Sequence, residues 1–314
     1  MTKLFDPKKL KLESLQTRSH LMDISAIMAL ENKIFVYDKL KAVAENIHSA
    51  KENNRPVILM IGAHVIRAGV QHYIIDMINK GFIDCIAMNG AGIVHDFELA
   101  LIGATTESVA KYIQTGQFGL WQETGELNNI INAAAKENMG MGAAVGKYIS
   151  EHNLPHSDIS LCASAWQMGC PVTVHVGIGQ DIIHEHPNFD GAACGKTSYH
   201  DFLKFTSVLD RLEGGVIMNF GSAVMGPEVF LKALSMVRNI ARQEHRDIKR
   251  FTTLVCDLVD LPDDYSKEAS KNTPGYYFRP WKTMLVRTVA DGGKSFYVKG
   301  DHRETIPQLW TALI

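Results

Sequence analysis

The 314-residue sequence has almost no excess charge of either sign. Its 32 lysines and arginines face 34 aspartates and glutamates, which gives a formal net charge of -2. Such a balance excludes the broad electrostatic attraction by which basic proteins bind nucleic acids or anionic membrane surfaces. We therefore expect neither a nucleic acid nor a membrane as a partner.

Cysteine is scarce and long apolar runs are missing. The five cysteines form no CxxC pair, which excludes zinc ribbons and thioredoxin-like motifs, and their odd number is typical of a reducing compartment. The amino-terminal residues lack the apolar segment of a secretory signal. The longest apolar runs fall far short of the ~20 residues that span a bilayer. These absences predict a cytoplasmic protein that folds around an ordinary hydrophobic core.

Apolar strands and helical segments alternate from residue 37 onward. Residues 37–54 and Val65–Lys80 have helical spacing, and the runs Pro56–Gly62 and Ile83–Met88 are typical of buried strands. Each strand is followed by a glycine turn and a new helix, which is the βαβ pattern. Because βαβ crossovers are right-handed and lay helices on both faces, we predict an α/β, Rossmann-like three-layer fold with a mainly parallel central sheet.

The pattern continues to the carboxyl end without a linker-like stretch. We expect residues 1–35 to form an N-terminal lead-in and residues 36–314 a single domain, with a polar loop at 260–280. Later strands are predicted at Ser160–Ala163, Val172–Val176, Gly215–Phe220, Thr252–Cys256 and Ser295–Lys299. Helices are predicted near Val94 and at 127–138, 142–151, 199–211, 227–242 and 305–314.

Small and ionisable residues follow the predicted strands, at the edge where open parallel sheets bind ligands. Glycine there lets backbone amides approach a ligand, and a helix N-terminus behind the turn favours phosphate. The alternative is that glycine only allows tight turns. The strand-end segments are Gly62-Ala63-His64, Asn89 to Asp96, Gly177 to Asp181, Gly221-Ser222-Ala223, and Asp257.

Three side chains at these ends are candidates for chemistry. His95 is the leading candidate for proton transfer because imidazole titrates near neutral pH, although a structural histidine is the alternative. Asp181 can hold a cationic substrate or cap a helix. His184 can transfer protons if its loop enters the crevice. The triplet 184–186 lacks a third ligand at a standard spacing, so we expect no metal site.

Two glycine-rich segments come close to phosphate-binding motifs. The segment Gly90-Ala91-Gly92 has His95 where the third glycine of GxGxxG belongs. The segment 191–197 is one residue shorter than a GxxxxGK[ST] loop and follows no buried strand, so we expect a solvated turn before a helix.

Several strand-end segments resemble deoxyhypusine synthase and its bacterial relatives. The segment Asn89 to Asp96 is similar to the NAD-binding Thr-Ala-Gly-Gly-Val-Glu-Glu-Asp turn of that family, and Ala63 to Gly69 resembles its Ser-Asn-x-x-Ser-x-Gly turn. The segment Pro171 to Asp181 is similar to the family's Pro-x-x-x-Asp-Gly-Ser-x-Gly-Asp turn, and Asn219 to Ser222 resembles its glycine-rich turn. The overlay runs loosely from Tyr37 to Ile314.

The resemblance implies an NAD-dependent transferase that acts on a small amine such as a polyamine, assembled as a homotetramer with sites between subunits. In that family a lysine carries the transferred unit as an imine. Here Arg287 and Thr288 stand at the matching place, with Lys282 and Lys294 nearby but out of register. An arginine stays charged and cannot form an imine, so the resemblance does not extend to deoxyhypusine formation itself.

Strand-end position and resemblance together give the expected cofactor-binding set: Ala63, His64, Asn89, Gly90, Ala91, Gly92, Gly221, Ser222 and Asp257. The expected catalytic set is His95, Asp181 and His184. Two alternatives stay open: a hydrolase or lyase that uses the same sheet edge without a dinucleotide, and a non-catalytic nucleotide-binding module.

Overall fold

Short aliphatic and β-branched runs build the central sheet of the computed structural model, which describes residues 3–314. The strands in chain order are β1 (Met22–Asp23), β2 (Val57–Ile61), β3 (Cys85–Asn89), β4 (Ala104–Thr105), β5 (Val172–His175), β6 (Val216–Phe220), β7 (Thr252–Asp257) and β8 (Lys294–Lys299). Six of them form one sheet in the order β5-β3-β2-β6-β7-β8, and all neighbouring pairs are parallel. The predicted α/β, Rossmann-like architecture is therefore confirmed.

The strand order places a topological switch point in the middle of the sheet. The chain enters at β2, moves outward through β3 and β5, and then returns to the other side of β2 as β6. Crossovers on the two sides of this point lead away in opposite directions, which opens a crevice beyond the carboxyl ends of β2 and β6. Ligands of open α/β sheets bind in such a crevice.

Helices cover both faces of the sheet. None of them, within residues 3–314, is long and apolar enough to cross a membrane. The helices are α1 (Asp38–Glu52), α2 (Ala63–Arg67), α3 (Gln71–Asn79), α4 (Gly90–Ile102), α5 (Val109–Tyr112), α6 (Glu126–Lys136), α7 (Met141–Glu151), α8 (Leu161–Gln167), α9 (Gly191–Leu209), α10 (Met225–Gln243) and α11 (His302–Leu313), with a π-helix at Pro280–Arg287.

Alternate residues of each buried strand enter different hydrophobic cores. Leu59 and Ile61 of β2 join a core with α1, α3, α4, α6, α7 and α11, whereas Ile58 and Met60 join a second core with α9, α10 and the π-helix. Successive side chains of a strand point to opposite faces, so the sheet is the middle layer of three. Burial on both faces explains why these strands read as continuous apolar runs.

The lead-in is fastened to the main body near the crevice. Its strand β1 pairs with β4, and Met22 lies opposite Thr105. Arg18 forms a buried, bidentate ion pair with Glu98 of α4, at 2.9 and 2.7 Å. The lead-in therefore reaches the edge of the sheet at which β2 and β3 end.

Two of the predicted elements differ from the structure. The predicted strand Ser160–Ala163 is instead the start of α8, where the Ser160 hydroxyl accepts the N–H of Ala163. Periodicity cannot separate a short apolar strand from a short buried helix. The predicted helix Val65–Lys80 is two helices, because Gly69 has a φ of +73° and breaks the ladder between α2 and α3.

Two predicted turns are in fact helical. The helix expected near Val94 already begins at Gly90, with Asn89 as its N-cap. The segment 191–197, expected to be a turn, is the first part of α9, and the Asp190 side chain accepts the N–H groups of Ala192 and Ala193. A first turn that is capped by a carboxylate does not offer its amides to phosphate.

Candidate functional site

Three connected cavities form one crevice along the carboxyl edge of the sheet. Their volumes are about 760, 690 and 260 Å³, and Arg67 lines all three. The largest lies over the ends of β6 and β7, where it reaches Gly221 and Asp257. The second crosses the switch point between β2 and β6 and reaches the end of β3, and the smallest opens beyond Ala91 and His95. Together the cavities form a continuous path from β7 to the end of β3.

The turns after β2 and β6 meet at the switch point. A Cβ on Gly62 would lie 2.3 Å from the carbonyl oxygen of Gly221, so no larger residue fits there. Ala63 and His64 line the crevice next to this contact, and the ring of His64 lies 3.2 Å from the Arg67 guanidinium. Ala63, His64, Gly221 and Ser222 all line this one cavity.

The turn after β6 has the spacing of a dinucleotide fingerprint. It reads Gly221-Ser222-Ala223-Val224-Met225-Gly226, which is GxGxxG with alanine in place of the second glycine. Gly221 has a φ of +67°, as the first glycine of a tight turn requires. A Cβ on Gly226 would lie 2.9 Å from the Ser222 hydroxyl, so this glycine lets α10 pack closely on the turn.

Asp257 is an acidic residue at the next strand end. It ends β7, the strand that follows α10, and lies 31 residues after Gly226, whereas the acidic residue of a dinucleotide fingerprint comes about 20 residues after the glycines. Its Oδ1 accepts the N–H of Leu258 at 2.7 Å. Its Oδ2 accepts no hydrogen bond from residues 3–314, and the residue borders the largest cavity. The spacing of Gly221, Gly226 and Asp257 was readable in the sequence, but sequence reasoning examined only the segment Gly90 to His95 for this motif.

The glycines at the end of β3 serve a different purpose from the one expected. Gly90 and Gly92 are buried, and of the segment Gly90 to Gly92 only Ala91 lines the crevice. The N–H of Gly92 is engaged by the Asn89 side chain at 3.1 Å. A Cβ on Gly90 would lie 2.1 Å from an Asp181 oxygen. Gly90 therefore makes room for a carboxylate of the protein at the α4 N-terminus.

Asp181 is a buried acid in the wall of the crevice. Its side chain is only 5% exposed, and burial raises its pKa to about 6, although the N–H of Ala91 opposes this shift. Asp181 lines the smallest cavity together with His95. The helix cap and the substrate contact were alternatives in the sequence, and the structure shows Asp181 both at the N-terminus of α4 and in the cavity wall.

His184 lies behind Asp181 and lines none of the three cavities. Its Nδ1 accepts the N–H groups of Gly179 and Asp181, each at 3.1 Å, so the hydrogen of the neutral ring is on Nε2. That Nε2 is 3.8 Å from Asp181 Oδ2 and 3.9 Å from the Cys194 thiol. Proton transfer by His184 was conditional on its loop entering the crevice; the loop contributes Asp181 to the wall, but not His184.

His95 has a hydrogen-bonding chain behind it. Its Nδ1 lies 2.8 Å from the Thr105 hydroxyl, which donates at 2.7 Å to Oε2 of Glu98. Because that hydroxyl gives its hydrogen to Glu98, it must accept from His95, which places the ring hydrogen on Nδ1. No residue in 3–314 hydrogen-bonds Nε2, and this atom is not among the buried unpaired atoms. The free lone pair of His95 therefore opens onto the crevice.

The environment of His95 keeps its ring neutral. Burial lowers its pKa to about 4, although the charge of Glu98 opposes this shift. Burial also opposes the ionised form of Glu98, but Arg18 and the hydroxyls of Thr124 and Thr105 outweigh it, so the pKa of Glu98 is lowered. The ion pair thus fixes a charged acceptor that orients the chain Glu98–Thr105–His95.

Sequence reasoning missed Arg18, Glu98 and Thr105. The pair His95 and Glu98 is spaced i, i+3 on α4, which was a usable signal for a shared helix face. Arg18 is 80 residues from Glu98 in the chain, and β4 has two residues, so neither gave a local signal.

No lysine of residues 3–314 lines the three cavities of the crevice. Lys282 is buried in the π-helix, with its ammonium 4.0 Å from the centre of the Tyr276 ring. Lys294 begins β8, at the opposite edge of the sheet from the crevice. Within the described part of the chain, no group of three or more metal-ligating side chains is placed to hold a metal ion.

Comparison with known proteins gives one partial family match. The model described as arginine dihydrolase ArgZ-like, C-terminal, Rossmann fold, matches residues 41–146, which is about a third of the chain. No curated protein sequence matches the chain.

Solved structures share the fold at low sequence identity. Unliganded AgrE superposes with a TM-score of 0.52 and 14% identity, over 87% of this chain and 32% of AgrE. A conserved protein from Methanococcus maripaludis S2, provisionally named LOR/SDH, gives a TM-score of 0.51 and 16% identity over 91% of this chain and 73% of that one. A protein from Entamoeba histolytica, provisionally named a deoxyhypusine synthase, gives 0.45 and 9% over 87% and 86%.

The chain spans about a third of the length of AgrE and of ArgZ, an arginine dihydrolase of cyanobacteria. At these identities the likeness concerns the fold.

Proposed function

We propose that the chain is an NAD-dependent enzyme that acts on a small amine, by oxidation or by a group transfer that begins with oxidation. The observation that carries this proposal is the fingerprint turn Gly221–Gly226 with Asp257 at the next strand end, beside a histidine whose free lone pair opens onto the same crevice. AgrE, which shares the fold, has also been solved with ornithine and NAD+.

The residues of the crevice fit a dinucleotide along its length. Asp257 would hold the hydroxyls of the adenosine ribose, and the amides of Ser222 and Ala223 would face the pyrophosphate at the switch point, since the N–H of Gly221 is donated to the Cys256 carbonyl at 3.1 Å. At the N-terminus of α10 the Ser222 hydroxyl accepts the N–H of Gly226 at 2.8 Å and Pro227 has no N–H, so the anion would be met by the turn before the helix. Ala63, His64, Asn89 and Ala91 would border the nicotinamide end, next to His95.

NAD, when bound, supplies the acceptor for a hydride from the carbon that bears the amine. The ammonium group of the substrate must first lose a proton, and His95 Nε2 is the base placed to take it. Thr105 and Glu98 hold the ring so that this lone pair stays directed into the crevice, and Glu98 stabilises the imidazolium that forms. Asp181 offers a carboxylate for the charge of the substrate.

The transferase part of the proposal depends on an acceptor other than a lysine of the crevice, since none lines it. A polyamine substrate and a homotetramer with shared sites remain part of the proposal through the resemblance to deoxyhypusine synthase. A hydrolase or lyase would use the same edge of the sheet and His95 as its base, but it would need no dinucleotide. The binding-module reading keeps the dinucleotide but predicts no turnover.

Measuring the melting temperature of the chain at increasing concentrations of NAD distinguishes the proposed enzyme from the two alternative functions. We expect NAD to raise the melting temperature of the wild-type protein and to lose this effect in Gly226→Val, which forces α10 away from the turn. Unchanged melting with saturating NAD would favour the hydrolase or lyase. Stabilisation by NAD without reduction of NAD in the presence of amines would favour the binding module.

A further inference from the structure

The turn after β6 offers few backbone amides to a phosphate. The N–H of Gly221 is donated to the Cys256 carbonyl, and the N–H of Gly226 is donated to the Ser222 hydroxyl. Ala223 stands where the second glycine of the fingerprint lets the backbone approach the pyrophosphate, so its methyl group keeps a ligand farther away. A dinucleotide in this crevice therefore needs further donors for its phosphates.

The ring of His302 lies over this turn. His302 is the first residue of α11, and a Cβ on Gly221 would lie 2.4 Å from its Nε2. The residue lines the largest cavity together with Gly221 and Ala223. No residue in 3–314 hydrogen-bonds Nε2, and this atom is not among the buried unpaired atoms. Nε2 is therefore accessible to a group that binds against the turn.

The hydrogen of the His302 ring belongs on the nitrogen that lies over the turn. Nδ1 is buried without a hydrogen-bond partner, and buried N–H groups without an acceptor are rare. Burial lowers the pKa of His302, although the charges of Asp301 and Asp257 oppose this shift. The ring is therefore neutral near pH 7 and carries a single hydrogen, on Nε2. This nitrogen is then a donor, as the binding of an anion requires.

Arg67 brings a permanent positive charge to the same crevice. It ends α2, is exposed, and lines all three cavities. Its Nη1 donates to His64 Nε2 at 3.2 Å, which orients the guanidinium, and it forms no ion pair with a carboxylate of residues 3–314. The charge is therefore available to a ligand. A guanidinium presents its N–H groups as a planar fork, which suits two oxygens of one phosphate.

These side chains follow one another from the proposed adenosine end of the crevice to the nicotinamide end. His302 lines only the largest cavity, whereas His64 and Arg67 also line the cavity at the switch point. Of the three, only Arg67 reaches the smallest cavity, which contains His95. Two linked anionic groups that lie along the crevice would therefore meet His302 first and Arg67 second.

The carboxylates of the largest cavity leave these donors free. Asp23, Asp257 and Asp301 each accept a backbone N–H from a residue one or two positions further along the chain, and none forms an ion pair with His302 or Arg67. The proposed function assigns Asp257 to the ribose. The largest cavity then presents an acceptor for hydroxyl groups beside a donor for a phosphate, which matches the polarity of a nucleotide.

We propose that His302 and Arg67 form the pyrophosphate site of the crevice. His302 Nε2 donates to the phosphate next to the adenosine, and the Arg67 guanidinium binds the phosphate next to the nicotinamide ribose. The inference rests on the proposed function and names the two side chains that replace the backbone amides this turn does not offer. Ligands with two linked phosphates are the class that fits, whereas a nucleoside monophosphate engages only His302.

Calorimetric titration of the full chain with ADP and with AMP tests the assignment. We expect both nucleotides to bind, and ADP to bind more tightly. His302→Phe keeps a ring over Gly221 but has no N–H, so the affinity for both nucleotides should fall roughly fivefold to tenfold. Arg67→Met removes the second donor, so the affinity for ADP should fall roughly tenfold or more while the affinity for AMP stays unchanged.

Two further variants test whether the losses are specific. Arg67→Lys keeps the charge but not the planar fork, so it should recover part of the affinity for ADP. Arg250→Met removes an exposed arginine that precedes β7, at the opposite edge of the sheet, and is the matched control. It should bind both nucleotides as the wild type does. If His302→Phe does not fold, Arg67→Met decides the matter, because Arg67 is exposed and no part of the core.

The outcomes also distinguish this inference from the proposed function. Equal affinity of the wild type, His302→Phe and Arg67→Met for ADP would overturn the pyrophosphate site, even if NAD binds. Equal losses of ADP and AMP affinity in Arg67→Met would overturn the assignment of the two phosphates. Inorganic pyrophosphate that binds the wild type but not Arg67→Met, while NAD, ADP and AMP do not bind, would support the anion site and reject the NAD-dependent enzyme. No binding of either ADP or inorganic pyrophosphate would overturn the site.

Discussion

At the scale of single residues, the proposed function assigns to Asp257 the choice between NAD and NADP. Its Oδ2 is free and borders the largest cavity at the end of β7. A carboxylate there accepts from the ribose 2′-hydroxyl and repels a 2′-phosphate. We expect Asp257→Ser to weaken NAD binding roughly tenfold and to improve NADP binding, as measured by fluorescence titration of both. An unchanged preference for NAD in this variant would remove Asp257 from the site.

His95 is expected to be required for turnover, because the proposed function makes it the general base. We expect His95→Gln to reduce the turnover of NAD with amines by roughly a hundredfold or more, with NAD affinity unchanged, since general bases contribute about 10²- to 10⁴-fold. Steady-state kinetics and NAD titration of the same preparation check both parts. Loss of NAD affinity together with turnover would show a structural histidine instead.

The lowered pKa of His95 also predicts how stability changes with pH. Its pKa in the folded chain is about 4, below the 6.5 of the unfolded chain, so the unfolded state binds more protons between these values. The corresponding stability is complete above pH 6.5 and is lost as the pH falls toward 4, on the order of 2 kcal/mol by pH 5. Urea unfolding at pH 7 and pH 5 should show this loss in the wild type and a smaller one in His95→Gln. Equal losses would contradict the shift.

The candidate site was only partly predictable from the sequence. Positions of His95, Asp181 and Asp257 followed from the rule that parallel strands end at one edge, which needs only a strand pattern. The chain from His95 to Thr105 and Glu98 was not predictable, because β4 is too short to leave a pattern. The role of Gly90 was not predictable for a similar reason. Whether a glycine turn faces a ligand or a carboxylate of the protein depends here on the loop that carries Asp181, which is 91 residues away in the chain.

At the scale of elements, the lead-in contributes to the site through a single buried ion pair. Removing Arg18 leaves the Glu98 carboxylate buried without its cation, which costs about 3 to 5 kcal/mol in comparable proteins. We expect Arg18→Ala to lose about 3 kcal/mol in urea unfolding, whereas Arg246→Ala, which breaks only exposed ion pairs, should leave the free energy of unfolding nearly unchanged. Equal losses in the two variants would contradict a structural role for the lead-in.

The buried ion pair between Arg18 and Glu98 is expected to affect turnover as well as stability. Without Arg18, Glu98 is expected to take up a proton, and its acceptor role toward Thr105 weakens. Turnover of folded Arg18→Ala should therefore fall while its affinity for NAD stays close to that of the wild type.

Elements were predicted well where both faces are buried and poorly where a run is short. Strands β2, β3, β6 and β7 pack against two cores, so each is a compact apolar run. The start of α8 is equally apolar but is helical because the Ser160 hydroxyl caps it and packing on α7 holds it. Local sequence cannot supply that information, since it arises from the neighbouring helix.

At the scale of the whole molecule, the strand order and the fingerprint together orient the ligand. In the common arrangement the fingerprint lies on the first strand of the sheet; here it follows β6, the first strand beyond the switch point. The adenosine half is therefore expected over β6 and β7, and the nicotinamide half over β2 and β3, toward the smallest cavity beside His95. The division of the chain at residue 35 and the homotetramer remain predictions, which limited proteolysis and sedimentation velocity can check.

A crystal structure of the full chain grown with NAD tests the central claim most directly. The account predicts the pyrophosphate against Gly221 to Ala223, the adenosine ribose within hydrogen-bond distance of Asp257, and the nicotinamide ring beside His95. Adenosine ribose next to Asn89, or NAD bound away from the carboxyl edge of the sheet, would contradict it.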